Sequence, residues 1–153
     1  MSESTTPSKK PWHRWAVGAI LLAQAILELS NIAAAFAIGS GRTPPPADMA
    51  QEAVGYYTAL ADWEHIVGLI YALLLGLTAI GVFMWATWTR LIFMGRALIH
   101  VAYFGYHLAA STYVSTFGIT GFAIFTAVLG VTGLYVFFVV GREHPRHLPA
   151  PSD

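Results

Sequence analysis

The chain consists of four long apolar runs separated by polar connections, and these runs lie at about residues 15–38, 66–88, 97–114 and 117–140. A bilayer core about 30 Å thick is crossed by roughly 20 apolar residues in a helix. Each run is long enough for one crossing, so the pattern predicts four membrane-spanning helices. The predicted fold class is therefore all-α, an integral membrane four-helix bundle.

The connections divide the chain into a membrane domain and two polar ends. Residues 12–142 are predicted to form the four-span domain, residues 1–11 a flexible N-terminal segment, and residues 143–153 a tail with prolines. No charged residue lies between the third and fourth runs, so a minimal turn at residues 115–118 is predicted to join them as an antiparallel hairpin.

The loop at residues 39–62 is the longest connection and carries its own local pattern. A run of prolines near its start breaks the first helix and extends the chain. Asp48 and Gln51 then have the spacing of a capping box, which predicts a short extracytoplasmic helix between spans 1 and 2. Asp62 is a predicted N-cap for the second span, with Glu64 in its first turn.

Basic residues predict the direction of the four spans. Cytoplasmic connections carry an excess of lysine and arginine. Arg42 lies in the loop between the first two runs, and every other basic residue flanks the opposite ends of the runs: Lys9, Lys10, Arg14, Arg90, Arg96, Arg142 and Arg146. Both termini are therefore predicted to be cytoplasmic.

Composition supports a membrane protein and excludes several chemistries. Hydrophobic residues make up 56% and charged residues 10% of the chain, whereas soluble chains have roughly 25% charged residues. Basic and acidic residues balance at a net charge of zero, which predicts no nucleic-acid partner. The chain has no cysteine, which excludes disulfides, thiolate metal sites and a cysteine nucleophile.

Small residues at four-residue spacing indicate where helices pack closely. Gly68, Ala72 and Gly76 form such a ridge on the second span, and Ala123 and Ala127 form a shorter one on the fourth. Membrane helices associate through such ridges. They are predicted to be contacts within the bundle, with a contact to another subunit as the alternative.

Glu28 is the most unusual residue of the first span, because a carboxylate inside a bilayer costs several kcal/mol. At about 1.5 Å per residue it lies roughly 20 Å from Trp15. Gln24 and Asn31 share its helix face. This group is either a proton-handling or ligand-binding site, or a protonated acid that joins helices by hydrogen bonds.

His100, Tyr103 and His107 share one face of the third span. The two histidines lie on one helix about 10 Å apart, so they cannot both ligate one haem iron. His107 is instead predicted to be a buried hydrogen-bonding partner, with Glu28 as the candidate acid. Such a pair suits proton transfer, although plain structural pairs have the same composition.

From the second span onward the chain resembles the DoxX-like group of small four-helix bacterial membrane proteins. The resemblance covers roughly residues 64 to 107 and is carried by Glu64, Gly68, the Thr89-Arg90-Leu91 step and His107. The first span departs from the group, since it lacks a Gly-x-x-Lys end and carries Glu28 and Asn31. The resemblance implies a bacterial inner membrane location; members include subunits associated with quinone-linked sulfur oxidation, and most have no assigned activity.

Two classes of function follow from these patterns. The first is a non-catalytic accessory subunit of a transporter or respiratory assembly, whose partners are membrane lipids and other integral membrane subunits and which needs no cofactor. The second is a small redox protein that handles quinone, haem or protons through Glu28 and His107. The sequence favours the first, in which the protein is not an enzyme.

Overall fold

The computed structural model describes residues 12–109 and 112–140, with side chains except at residue 52 and at residues 112–122. Within these ranges all regular secondary structure is α-helical. The helices are α1 (His13–Gly39), α2 (Gln51–Ala59), α3 (Asp62–Met84), α4 (Thr89–Ala109) and α5 (Thr112–Phe138). The predicted all-α class is confirmed. The predictions for residues 1–11 and 143–153 lie outside the described residues.

Two of the described helices, α1 and α3, are long and apolar enough to cross a membrane. In α5, residues Ala123–Phe138 form a further apolar stretch of shorter length. Large hydrophobic side chains are exposed along α1, α3, α4 and α5. A surface of this kind is typical of helices that face lipid.

Helix α1 packs antiparallel along α3. Ile32 lies beside Gly68, and Ala25 lies beside Gly76 half-way along both helices. Ala72, between the two glycines, is completely buried. The small-residue ridge predicted on the second span therefore lies in a contact within the chain, because residues without bulky side chains allow the two backbones to approach.

The remaining contacts place α4 against α3 and α5 against α4. Phe93 of α4 fits beside Gly133 of α5. A buried apolar core joins α1, α3, α4 and α5, and consists of Leu21, Ala25, Leu75, Ala79, Val82, Phe93, Leu129, Val136 and Val140. Helix α2 contacts both α1 and α5. Close packing between α1 and α5 is absent from the described residues.

The small-residue ridge predicted on the fourth span, which is α5, is not buried against the other described helices. Ala123 and Ala127 are both exposed, so they form no buried contact with the described helices of this chain. Ala127 borders the space between α5 and α1, and these two helices do not pack closely together in the described residues.

Several predicted boundaries are wrong. Helix α3 begins at Asp62 and its N-cap is Ala61, and α4 begins at Thr89, well before residue 97. Residues 115–118 lie inside α5, and the connection to α4 comes earlier, between Ala109 and Thr112. One glycine at position 118 costs a helix only about 1 kcal/mol and does not end it. Asp48 and Gln51 form no capping box: α2 begins at Gln51, and its N-cap Ala50 has no side-chain capping bond.

The end of α3 is held by a contact with the start of α1. Trp85 has a positive φ of 59°, a conformation that favours glycine. The N–H of Ala86 donates to the carbonyl of Gly81 at 2.9 Å and closes the helix end. The Trp85 ring meets His13 edge-on at 6.0 Å, and His13 Nδ1 lies 2.7 Å from the Tyr135 hydroxyl of α5.

We expect Ala72→Leu to destabilise the protein by about 1–3 kcal/mol, because three extra carbon atoms overpack the α1–α3 contact. The measurement is thermal unfolding of the purified protein followed by far-ultraviolet circular dichroism. Ala34→Leu, at an exposed alanine of α1, is the matched control and should leave the midpoint unchanged. Equal midpoints for both variants would contradict the packing described for this ridge.

Candidate functional site

An ion pair between α1 and α4 lies at the centre of the molecule. Arg96 Nη2 donates to Glu28 Oε1 at 3.1 Å. The side chains are 2% exposed for Arg96 and 14% exposed for Glu28. Gln24, one turn earlier on α1, donates its amide N–H to the same carboxylate oxygen at 3.1 Å. Because both charges are withdrawn from solvent, each depends on the other for compensation.

Arg96 also connects this pair to α3 and α5. Its guanidinium lies 4.2 Å from the centre of the Tyr71 ring, in a cation–π contact. The Tyr71 hydroxyl is 2.9 Å from His100 Nδ1, and His100 Nε2 is 3.4 Å from the Thr126 hydroxyl. We call this group the central network; its members are Gln24, Glu28, Tyr71, Arg96, His100 and Thr126.

A second polar group lies where α2 meets α3 and α4. His107 Nε2 is 3.0 Å from Glu64 Oε1. The other oxygen of Glu64 accepts the N–H of Ala61 at 2.6 Å and so caps the start of α3. Tyr103 stacks edge-on against the His107 ring at 4.4 Å, and Tyr56 of α2 lies 6.3 Å from it. We call Tyr56, Glu64, Tyr103 and His107 the α2-end cluster.

The predicted pairing of Glu28 with His107 is wrong. Glu28 pairs with Arg96 and His107 pairs with Glu64. The antiparallel packing explains the separation: Ala25 of α1 lies beside Gly76, in the middle of α3, whereas His107 lies opposite the first turn of α3. Glu28 and His107 therefore lie at different levels along the axis of α3.

The six predicted polar residues therefore divide among three places. Gln24, Glu28 and His100 belong to the central network, and Tyr103 and His107 belong to the α2-end cluster. Asn31 joins neither group and lines a cavity beneath α2. Their assignment to a functional site stays a prediction.

The spaces that adjoin these polar groups include a cavity beneath α2 and a groove between α1 and α5. The α2 cavity has a volume of about 240 Å³ and is lined by residues of all five described helices. The α1–α5 groove has a volume of about 390 Å³ and lies between residues 17–24 of α1 and residues 127–135 of α5. Its walls are mainly apolar, with Gln24, Thr132 and Tyr135 as the polar exceptions.

Both ring nitrogens of His100 face partners within the chain, namely Tyr71 and Thr126. No group of three or more His, Asp or Glu side chains placed to hold a metal occurs among the described residues. The central network holds the opposite charges of Glu28 and Arg96 together and joins α1, α3, α4 and α5 by polar contacts.

The sequence patterns missed Arg96, Tyr71, Thr126 and the role of Glu64. The positive-inside rule assigns Arg96 to a cytoplasmic connection because it is charged. Its spacing held a signal nonetheless: Arg96, His100, Tyr103 and His107 follow one another at intervals of four, three and four residues, which places them on one helix face. No comparable spacing links Thr126 to the other groups.

No protein-family model, curated protein or solved structure matches this chain.

We expect Glu28→Gln alone to destabilise the protein by about 3–5 kcal/mol, because it leaves the Arg96 guanidinium buried without a counter-charge. The double variant Glu28→Gln with Arg96→Gln removes both charges and should recover much of that loss. Thermal unfolding of the wild type, both single variants and the double variant measures the coupling. Additive losses would show that the two side chains do not interact.

Burial raises the pKa of Tyr56 above its ordinary value of 10.0; a hydrogen bond with Tyr103 opposes the rise and the nearby Glu64 carboxylate adds to it. The folded state therefore favours the neutral phenol. This contribution to stability is complete below about pH 10 and is lost as the pH rises above it. Tyr56→Phe should reduce the alkaline fall of the unfolding midpoint. Tyr106→Phe, at a half-exposed ring, is the control and should keep the wild-type profile.

Proposed function

We propose that this chain is a four-span integral membrane protein that serves as a non-catalytic accessory subunit of a larger membrane assembly. In this proposal α1, α3, α4 and α5 cross the membrane and α2 lies at its outer surface. The length and apolar character of α1 and α3 support it, as do the exposed hydrophobic side chains along all four long helices. A DoxX-like relationship over residues 64–107 is part of the proposal.

The proposed orientation places both termini in the cytoplasm of a bacterial cell. Arg96 lies inside α4, away from its first turn, and pairs there with Glu28, so it is not counted among the flanking charges. Six basic residues still flank the ends of the long helices opposite α2, and Arg42 alone lies at the α2 end. The excess of lysine and arginine on one side supports the orientation without Arg96.

The observation that carries the accessory role is the α1–α5 groove. Helices α1 and α5 border a space of about 390 Å³ that the described part of the chain leaves unfilled. Ala127 lines it, and the exposed Ala123 lies one turn away on the same helix. Small residues at this spacing allow a further helix to approach closely.

A polar group in the groove favours a protein occupant over lipid. Gln24 donates one N–H to Glu28, while its carbonyl oxygen accepts no hydrogen bond from the described residues. Lipid tails offer no donor, whereas a neighbouring membrane helix can present a hydroxyl or amide. We therefore propose that a transmembrane helix of a partner protein, with small and hydrogen-bonding side chains, fills the groove.

Proton handling is the second candidate function and has one specific observation in its favour. The Oε2 atom of Glu28 is buried and accepts no hydrogen bond from the described residues. Such an oxygen could accept a proton if water reached it. Under this reading Glu28→Gln with Arg96→Gln would abolish an activity while the protein still folds, whereas an accessory subunit would keep its partner.

The absence of cysteine allows a direct test of the groove. Ala127→Cys, labelled with a benzophenone maleimide in native membranes, should cross-link on illumination to one integral membrane protein that mass spectrometry identifies. Val101→Cys, on a side chain of α4 that is 70% exposed, is the control and should give only lipid adducts. The same faint adducts from both positions would overturn the proposed partner.

Filling the groove should weaken the assembly without unfolding the chain. Ala127→Leu places three carbon atoms where the partner's backbone approaches, at a cost of about 1–3 kcal/mol, so recovery of the partner should fall roughly tenfold. Val101→Leu should leave recovery unchanged. Unfolding midpoints like that of the wild type are expected for both variants, since both positions are exposed.

A further inference from the structure

We infer that the α2 cavity is a binding site for a neutral amphiphile whose head carries a hydroxyl group. The site is separate from the groove of the accessory role, and the inference rests only on the membrane setting of the proposed function.

The cavity is large enough for one small head group. Its volume of about 240 Å³ is several times the roughly 30 Å³ that one water molecule occupies in the liquid. Much of the lining is apolar, with Ile32, Ala35, Leu60, Phe104 and Phe125 contributing. A mostly apolar space with a few convergent polar groups is the usual form of a small-molecule site.

Two polar side chains of the lining have free hydrogen-bonding capacity. Asn31 on α1 and His65 on α3 both line the cavity, and neither makes a side-chain hydrogen bond to the described residues. The His65 ring is held by an edge-on contact with Phe36 at 5.5 Å. An amide offers donors and an acceptor, and an imidazole ring offers a donor. A hydroxyl group, which also donates and accepts, is the head that satisfies both.

The charges around the cavity select against an anionic head. Glu64 lines the cavity, and its carboxylate is already engaged with His107 and Ala61. Asp48 and Asp62 add negative charge at the same end of the molecule, against Arg42 as the one basic residue of the loop. A phosphate group would be repelled here, whereas an uncharged hydroxyl is not.

The apolar part of the ligand has a path out of the cavity. Ala35 of α1 and Phe125 of α5 lie on its wall, and these two helices do not pack against each other in the described residues. An acyl or isoprenoid chain can leave between them into the surrounding bilayer. Both a neutral glycerolipid and an isoprenoid alcohol have the required chemistry.

The test uses the purified full chain in nanodiscs with three photoreactive probes. These are a diazirine-tailed monoacylglycerol, a diazirine-tailed isoprenoid alcohol, and the lysophosphatidic acid with the same acyl chain as the first. We expect saturable cross-linking by one or both neutral probes, mapped by mass spectrometry to peptides that line the cavity. The neutral probe that competes better for the cavity shows whether the ligand is a neutral glycerolipid or an isoprenoid alcohol.

Asn31→Leu keeps the branched shape and the number of heavy atoms of the side chain and removes the hydrogen bonds, so the apparent affinity should fall about three- to tenfold. Ser30→Leu is the matched control: Ser30 is exposed and its hydroxyl bonds to the Ile26 carbonyl. The inference is overturned if neither neutral probe saturates, if the lysophosphatidic acid binds as well, or if both variants lose affinity equally. Cross-linking at Ala127 is measured separately, so a negative result for the α2 cavity does not contradict the proposed partner helix in the groove.

Discussion

The ion pair between Glu28 and Arg96 is the constraint on which the arrangement of the helices depends. The two residues lie on α1 and α4, which both pack against α3 rather than closely against each other. A buried charge without its partner costs several kcal/mol, so any register that separates these residues is penalised. Ion pairs of this kind add little net stability over apolar contacts. The pair instead fixes how far α4 is displaced along the axis of α1.

The remaining polar contacts follow from this position of α4 along α1. Once Arg96 lies at the level of Glu28, the rest of its helix face meets fixed partners: His100 reaches Tyr71 and Thr126, and one and two turns later Tyr103 and His107 meet Tyr56 and Glu64. Helix α5 is tied to the network through Thr126 and to α1 by Tyr135 and His13 at the other end. Between these ties α1 and α5 stay apart, and the groove is the result.

The sequence could predict the helices better than the pairs of polar residues that join them. Long apolar runs fix the existence of the four long helices, and the small-residue ridge of α3 identifies its contact with α1, because both depend on spacing along one element. The pairing of Glu28 could not be predicted, since two acids and two candidate partners allow several matches and only the relative heights of the helices choose among them. Arg96 could not be predicted for a different reason: a rule that assigns charged residues to connections excludes a charge that lies inside a helix and is neutralised by another helix.

The order of residues along α1 separates the two proposed sites. Residues 17–24 border the groove, Glu28 belongs to the central network, and Asn31 to Ala35 border the α2 cavity. A polar layer about one helical turn thick therefore lies between two largely apolar spaces. A partner helix in the groove and the head group of an amphiphile in the cavity would touch this layer from opposite sides. The Glu28–Arg96 pair ties α1 to α4 within this layer, so it is the described contact through which one occupied space would influence the other.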